Sequence, residues 1–431
     1  RPGRPAAPVA ASTAWAGLGV VLDGRLPAAL IVPPPRVILP RRLPVVLPFL
    51  LGCGSPAAPA AGMLPPLDGA LAGVLEPLLL PGAPAVKWEV VLNTPAPGRR
   101  ELRFKAEGAG LAAEGSATVD ARGDGAWTLD RAKVDLGVWS GPVAGRFAPA
   151  GGGVLGGELA ISAAGTIRDA VADGDVEITL SGGTYNEPAR KLSVAGVTLK
   201  VRGRIRELRE RRTGPGQVLA WERGSYDRFA LGAGRVVFRL AEEKLHIEEA
   251  RVGVLGGELS VERAAVALNA SSFAVAAEMR GVQLADLLPL LPPLLASARG
   301  RLDGRIALQG DAAGLRLEGG NLNLRAGETA ELKFMPTPGV ISGQLPEAVR
   351  RHYPGLVQLE AGGVPLVAEH LEIVMNAAPD EEGRTAVVSL SGGPADPLLR
   401  APVVLELNIR GPLDEVVAFG TNSRVRFGGG R

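Results

Sequence analysis

Residues 281–334 read GVQLADLLPLLPPLLASARGRLDGRIALQGDAAGLRLEGGNLNLRAGETAELKF, and they hold the two patterns that organise the whole chain. The first is a Leu-rich segment, Leu284 to Leu295. Pro289, Pro292 and Pro293 forbid one straight helix there, so the segment reads as two short helical pieces with a kink. The second pattern has period two. Leu302, Gly304, Ile306 and Leu308 fall on one side, and Arg301, Asp303, Arg305, Ala307 and Gln309 on the other. That is a strand with one apolar and one wet face. A turn is expected at Gly310-Asp311, after which Leu315 and Leu317 continue the pattern. Leu322 and Leu324 follow in the opposite phase, so the pair Gly319-Gly320 predicts a β-bulge whose inserted residue keeps one face apolar.

The same alternation recurs over much of the chain. Leu102, Phe104 and Ala106 alternate with Glu101, Arg103 and Lys105; Trp127 with Leu129 and Val134 with Leu136 are spaced in the same way. Val176, Ile178 and Leu180 alternate with Glu177 and Thr179, and Val236, Phe238 and Leu240 with Arg235 and Arg239. Leu245 and Ile247 flank His246, and Val403, Leu405, Leu407 and Ile409 alternate with Glu406, Asn408 and Arg410. One-sided strands in such number predict a mainly β protein. VLGGEL occurs at Val154 to Leu159 and again at Val254 to Leu259, which suggests a recurring hairpin element with its Gly pair at a turn or bulge.

Composition agrees. The 59 glycines and 36 prolines make up about a fifth of the 431 residues, aromatics are 4%, and hydrophobic residues 46%. Many short strands with frequent turns fit this better than helices do. A net charge of +2 gives no global attraction to nucleic acid, and the lone Cys53 excludes an internal disulfide framework and a cysteine-based zinc site. No apolar run reaches the roughly 18 residues of a spanning helix. The chain begins with Arg1, so an anchoring segment upstream is open.

The expected organisation has four parts: a Pro-rich segment with edge strands (1–63), a β region opening with a Leu-rich helix at 64–80 (64–280), a second β region with its Leu-rich helix at 284–295 (281–420), and a frayed tail (421–431). Leu50-Leu51-Gly52-Cys53 imitates a lipoprotein cleavage site, but it lies deep in the chain and among prolines, so a buried or loop cysteine is the plainer reading. The basic run from Arg202 to Arg212 reads as a solvated strand end and loop.

Chemistry is not evident. His246, His352 and His370 are not spaced as metal ligands, and His246 and His370 are expected to face water. There is no G-x-S-x-G elbow and no phosphate-binding loop, and Gly232-Ala233-Gly234 lacks a third glycine. Asn269-Ala270-Ser271 matches a glycosylation sequon by pattern alone. The reading is no enzyme, no cofactor and no metal.

The start Gly281-Val282-Gln283-Leu284-Ala285-Asp286-Leu287-Leu288 and the run Gly300 to Leu308 resemble the YdbH-like branch of the AsmA-like, TamB- and YhdP-related bridge proteins. Gly256-Gly257-Glu258-Leu259 and the closing stretch Leu390 to Val416 are similar to that branch as well. The resemblance runs over 217–417 and extends back to about residue 85. It implies an elongated, U-shaped open β-groove with an apolar interior and short Leu-rich helices. It also implies phospholipid passage between the inner and outer membranes of a diderm bacterium, a periplasmic location, and inner-membrane anchoring through an upstream segment. Partners would be acyl chains, the two membranes and envelope proteins at the ends.

Physics permits such a groove. A buried CH₂ is worth about 0.8 kcal/mol, so two 16-carbon chains resist water by roughly 25 kcal/mol. A trough of about 20 strands at about 4.8 Å each would extend on the order of 100 Å. The expected lining is Val176, Ile178, Leu180, Val236, Phe238, Leu240, Leu302, Ile306, Leu308, Val403, Leu405, Leu407 and Ile409. Two rivals remain: a structural or adhesive envelope protein whose apolar faces pack into a dry core, and a soluble carrier of one lipid.

Overall fold

In a computed structural model the described residues are 68–75, 84–139, 153–169, 171–227, 229–268, 272–288, 295–311, 314–336, 343, 346–376, 378–399 and 402–410. They form a mainly β protein of 21 strands with a few short helices, and every pairing described is antiparallel. The alternation in the sequence predicted this class. The chain divides into two compact units whose boundary falls at 179/180, inside β7 (Val171–Glu187). The boundary expected at 280 lies within the second unit.

The first unit contains β1 (Gly69–Leu75), β2 (Val86–Ala96), β3 (Arg99–Gly108), β4 (Leu111–Asp120), β5 (Gly125–Asp135), β6 (Val154–Arg168) and the first half of β7. Each strand from β1 to β6 pairs with the next, a meander of neighbours. Residues 69–75 correct one expectation, because the helix predicted over 64–80 is a strand here. Gly69 and Gly73 weaken a helix, prolines on both sides leave room for few turns, and β2 offers a hydrogen-bonding edge. Leu136 opens a helical turn (136–139) and does not extend β5.

The second unit contains β8 (Leu192–Arg204), β9 (Gln217–Trp221), β10 (Arg223–Tyr226), β11 (Phe229–Ala241), β12 (Lys244–Val254), β13 (Gly257–Ala267), β14 (Ser272–Gln283), β15 (Leu295–Arg299), β16 (Arg301–Asp311), β17 (Gly314–Leu324), β18 (Ala330–Phe334), β19 (Leu366–Met375), β20 (Arg384–Pro394) and β21 (Val403–Arg410). Pairing runs β11–β12–β13–β14, then β16, β17, β19, β20 and β21. β9 and β10 both bridge β8 to β11. β15 and β18 form a branch. They pair with each other, and β18 joins only the first three residues of β19.

The predicted bulge is present. Ala307 faces Gly319 but Leu308 faces Leu317, so Glu318 is the inserted residue. Gly310 and Asp311, where the turn was expected, are strand residues. β16 continues through Asp311, paired with Gly314, and residues 312–313 lie outside the described residues. The two VLGGEL copies differ. The second makes a two-residue hairpin turn, with Leu255 and Gly256 both at positive φ (50° and 67°) as a type I′ turn requires. The first lies inside β6. Of the helix expected at 284–295, Leu284–Leu287 is helical, 289–294 lie outside the described residues, and Leu295 begins β15. The basic run ends β8 and adds one short helix, Ile205–Arg209. His246 is half-buried, its Nε2 covered, and not turned to water as expected; His370 is exposed. The expectations on 1–63, on Cys53, on the 269–271 sequon and on the tail from 421 lie outside the described residues.

Candidate functional site: an apolar sheet face

In the first unit the register lines up one side of the sheet residue by residue. Trp88 faces Ala106, which faces Ala113, Ala132 and Ile161 in turn. The next row is Leu71, Val90, Phe104, Gly115, Leu129 and Ala163, and the next is Gly69, Leu92, Leu102, Ala117, Trp127 and Gly165. Every position is apolar. The opposite side carries Lys87, Glu89, Glu101, Arg103, Lys105, Glu107, Glu114 and Lys133, with surface ion pairs such as Lys105–Glu107 (2.7 Å) and Lys133–Glu158 (2.5 Å). Among the apolar positions Val90 and Trp127 are buried and most of the rest are half-buried, while Leu71 is 40% exposed.

Two aromatic rings of this side, Trp88 and Phe104, lie over glycines. A Cβ on Gly73 would come within 2.8 Å of Trp88, and one on Gly115 within 2.6 Å of Phe104. In the second unit Trp221 covers Gly234 and Phe273 covers Gly310 in the same way. A ring laid over a missing side chain fills the gap without projecting, so large side chains leave the face even. Two indole donors are also satisfied internally: Trp127 Nε1 donates to the Asp173 carbonyl (3.3 Å) and Trp221 Nε1 to that of Gly232 (3.2 Å). Those two indoles therefore add no free N–H to the apolar side.

In the second unit the same construction covers more strands. Val236 faces Ala250, which faces Val261; Val252, Leu259 and Met279 form the next row, and Met279 continues through Gly304, Leu322, Ile373, Val388 and Leu407. Phe238 and Leu240 face Ile247 and Leu245. Ile306 lies between Ala277 and Gly320, and Leu308 between Val275 and Leu317. Leu405 faces Leu390, and Ile409 faces Ala386. The expected residues Val236, Phe238, Leu240, Leu302, Ile306, Leu308, Val403, Leu405, Leu407 and Ile409 thus share one side. On β7, Val176 and Ile178 in the first unit and Leu180 in the second are half-buried.

Burial along this side is graded. Leu302 is fully buried and Val403 nearly so (4%), Ile306 is 7% exposed, Leu308, Leu405 and Ile409 are half-buried, and Leu407 reaches 38%. Val282, Leu366 and Ala368 are also sealed, whereas Val275, Leu317 and Met375 at the other strand ends are partly open. The sealing comes from β15, β18 and the helices Leu284–Leu287 and Pro354–Glu360, whose Ala298, Ala330, Leu332, Leu356 and Leu359 join the same buried cluster.

The lining proposed from sequence omitted the first six strands, although VKWEVVLN (Val86 to Asn93) carries the signal. Val86, Trp88, Val90 and Leu92 occupy alternate positions. The wet side holds the resolved electrostatics. Hydrogen bonds from Arg305 and then Arg280 hold the Glu278 carboxyl below its usual range. The Asp380 carboxyl is lowered by the backbone N–H and guanidinium of Arg384. Among the described residues no cluster of His, Cys, Asp and Glu fits a metal ion, and no helix is long and apolar enough to cross a membrane.

A family model described as YdbH-like, intermembrane phospholipid transport protein YdbH, matches residues 95–329. The chain belongs to the YdbH-like family. No curated protein and no solved structure matches it. The YdbH-like match starts in β2 and ends between β17 and β18, so it takes in apolar faces of both units. It begins at 95, close to residue 85, to which the resemblance extends, and stops short of the closing strands from Leu390.

Proposed function

We propose that this chain carries phospholipid through the bacterial envelope, between the inner and outer membranes, by solvating acyl chains on the apolar faces of its sheets while headgroups stay in water. The observation that carries this reading is the unbroken apolar register from β1 to β6, in which half-buried Val, Leu, Phe, Trp and Ala positions face a charged opposite side. The family description supports the class of cargo. The face is apolar, so it solvates chains and does not read headgroups. We place the protein in the periplasm and assign it no covalent chemistry. The groove lining in this reading comprises Val176, Ile178, Leu180, Val236, Phe238, Leu240, Leu308, Leu405, Leu407 and Ile409, extended by Val86, Trp88, Val90, Leu92, Leu102 and Phe104.

One observation favours the rival of a structural envelope protein with a dry core: the sealed cluster around Leu302, Leu359 and Leu366. Organic extraction of the purified chain separates the two. Several phospholipids per chain are expected for a conduit. Their absence from protein purified without lipid-stripping detergent would favour the dry core, and a fixed single lipid would favour a carrier.

A further inference from the structure

Resting on the lipid reading above, we infer that the path for acyl chains in the second unit has a built stop. β15, β18 and the helix Pro354–Glu360 form a roof over one end of the apolar side, and lipid occupies only the end this roof leaves open. Sequence alternation runs through both ends alike, since Leu302 and Leu308 belong to one pattern on one strand. The structure treats them differently. Leu302, Val282 and Leu366 are closed off completely, while Leu308, Val275 and Met375 keep part of their surface exposed.

The roof lies too close for a guest beneath it. Small side chains at the contact, Ala298, Ala330 and Ala368, bring backbones together. A Cβ added to Gly300, whose φ is +129°, would lie 3.1 Å from the Ala330 Cβ and 3.2 Å from Leu284 Cδ1. One at Gly362 would meet the Phe334 carbonyl oxygen at 2.7 Å. The roof is also tied at its edges. The Leu284 N–H donates to the Gly300 carbonyl (3.0 Å), and β18 continues the ladder onto Leu366–Ala368. At the opposite strand ends nothing comparable covers the described residues. Phe273 is 39% exposed and Leu407 38%. Acyl chains therefore reach Leu308, Leu317 and Met375 and stop before Leu302.

The test uses the unmodified full chain, loaded with phosphatidylcholine carrying a diazirine midway along one acyl chain. It is irradiated, and the adducts are mapped by peptide mass spectrometry. Adducts are expected on peptides holding Val275, Leu308, Leu317 or Met375, and on β2 to β5 of the first unit, with at least tenfold less on β18 and on Leu366–Ala368. Comparable labelling of β18, Leu359 or Leu366 would overturn the stop and leave lipid carriage standing. No adduct on either unit would remove the lipid reading and the stop with it.

Discussion

A side chain at residue 320 would have to share space with the carbonyl oxygen of Arg305. Gly320 has φ +148°, and a Cβ there would sit 2.2 Å from that oxygen. Gly320→Val is expected to cost about 1–3 kcal/mol, as strained backbone positions do, with Arg305→Ala giving no rescue because the clash is with backbone. Thermal melting of both variants checks it. A second residue-level prediction concerns acid. The folded-state pKa of Asp380 is depressed by Arg384, so its contribution is present above the ordinary aspartate range, near pH 4, and lost as pH falls through the lowered folded value. Denaturant midpoints of wild type and Asp380→Asn should differ near neutrality and converge as the pH falls through the lowered folded value. A gap unchanged by acid would show that the Asp380–Arg384 contact does not stabilise the fold. At this scale the sequence was only partly legible. Alternation told Ile306 from Arg305, but it could not tell a half-buried residue, Leu308, from one sealed against its own chain, Leu302. Both are leucines on one face, and their difference is made by β18, which pairs far along the chain.

Four elements change phase at an inserted charged residue. Asp130 in β5, Glu248 in β12, Glu318 in β17 and Glu369 in β19 are each the extra residue of a register shift. In β14 the pair Arg280-Gly281 opposes Asp303, whose carboxylate accepts the Gly281 N–H at 2.6 Å. A bulge turns the alternation over, and a charge at the extra position keeps the apolar side apolar. Deleting the paired Val367 should put Leu366 out of phase with Ala368 and Leu371 and unfold the β18–β19 ladder, whereas Glu369→Gln keeps the count and should lie within about 0.5 kcal/mol of wild type. Circular dichroism melts distinguish them, and a deletion that melts like wild type would refute the phase argument. The roof gives a matched contrast. Leu359→Ala should cost about 2–5 kcal/mol because the site is sealed, while Leu407→Ala on the open edge strand should cost under about 1 kcal/mol. The Gly319-Gly320 bulge was visible in sequence because glycines flank it. The one at Glu248 was not, since nothing but a charged pair marks it. The strand at Gly69–Leu75 was misread as a helix because a Leu- and Ala-rich heptamer satisfies either period, and only its partner β2 decides.

At the scale of the molecule the question is whether apolar rows act as a continuous path or as separate sites. A single charge decides it, because the two arrangements fail differently. Leu102 is half-buried in a row that joins Leu92 to Ala117 in the first unit, away from any roof. A carboxylate there would cost a passing acyl chain about 3 kcal/mol, taking the charge cost at a bilayer centre as a guide, or about a hundredfold in local occupancy. In a path, lipid must pass residue 102, so Leu102→Asp should cut transfer between donor and acceptor vesicles by tenfold or more. Rows elsewhere keep their lipid, so the amount that co-purifies should fall only in part. In a carrier with one site, loading and transfer fall together or not at all. Ala112→Asp is the control, since it adds the same charge on the wet side of the neighbouring strand, opposite Glu107 and Lys133. It should leave both measurements where they were. Leu102→Asp protein that folds, holds lipid and transfers at the wild-type rate would mean that the apolar rows of the first unit are not on the route.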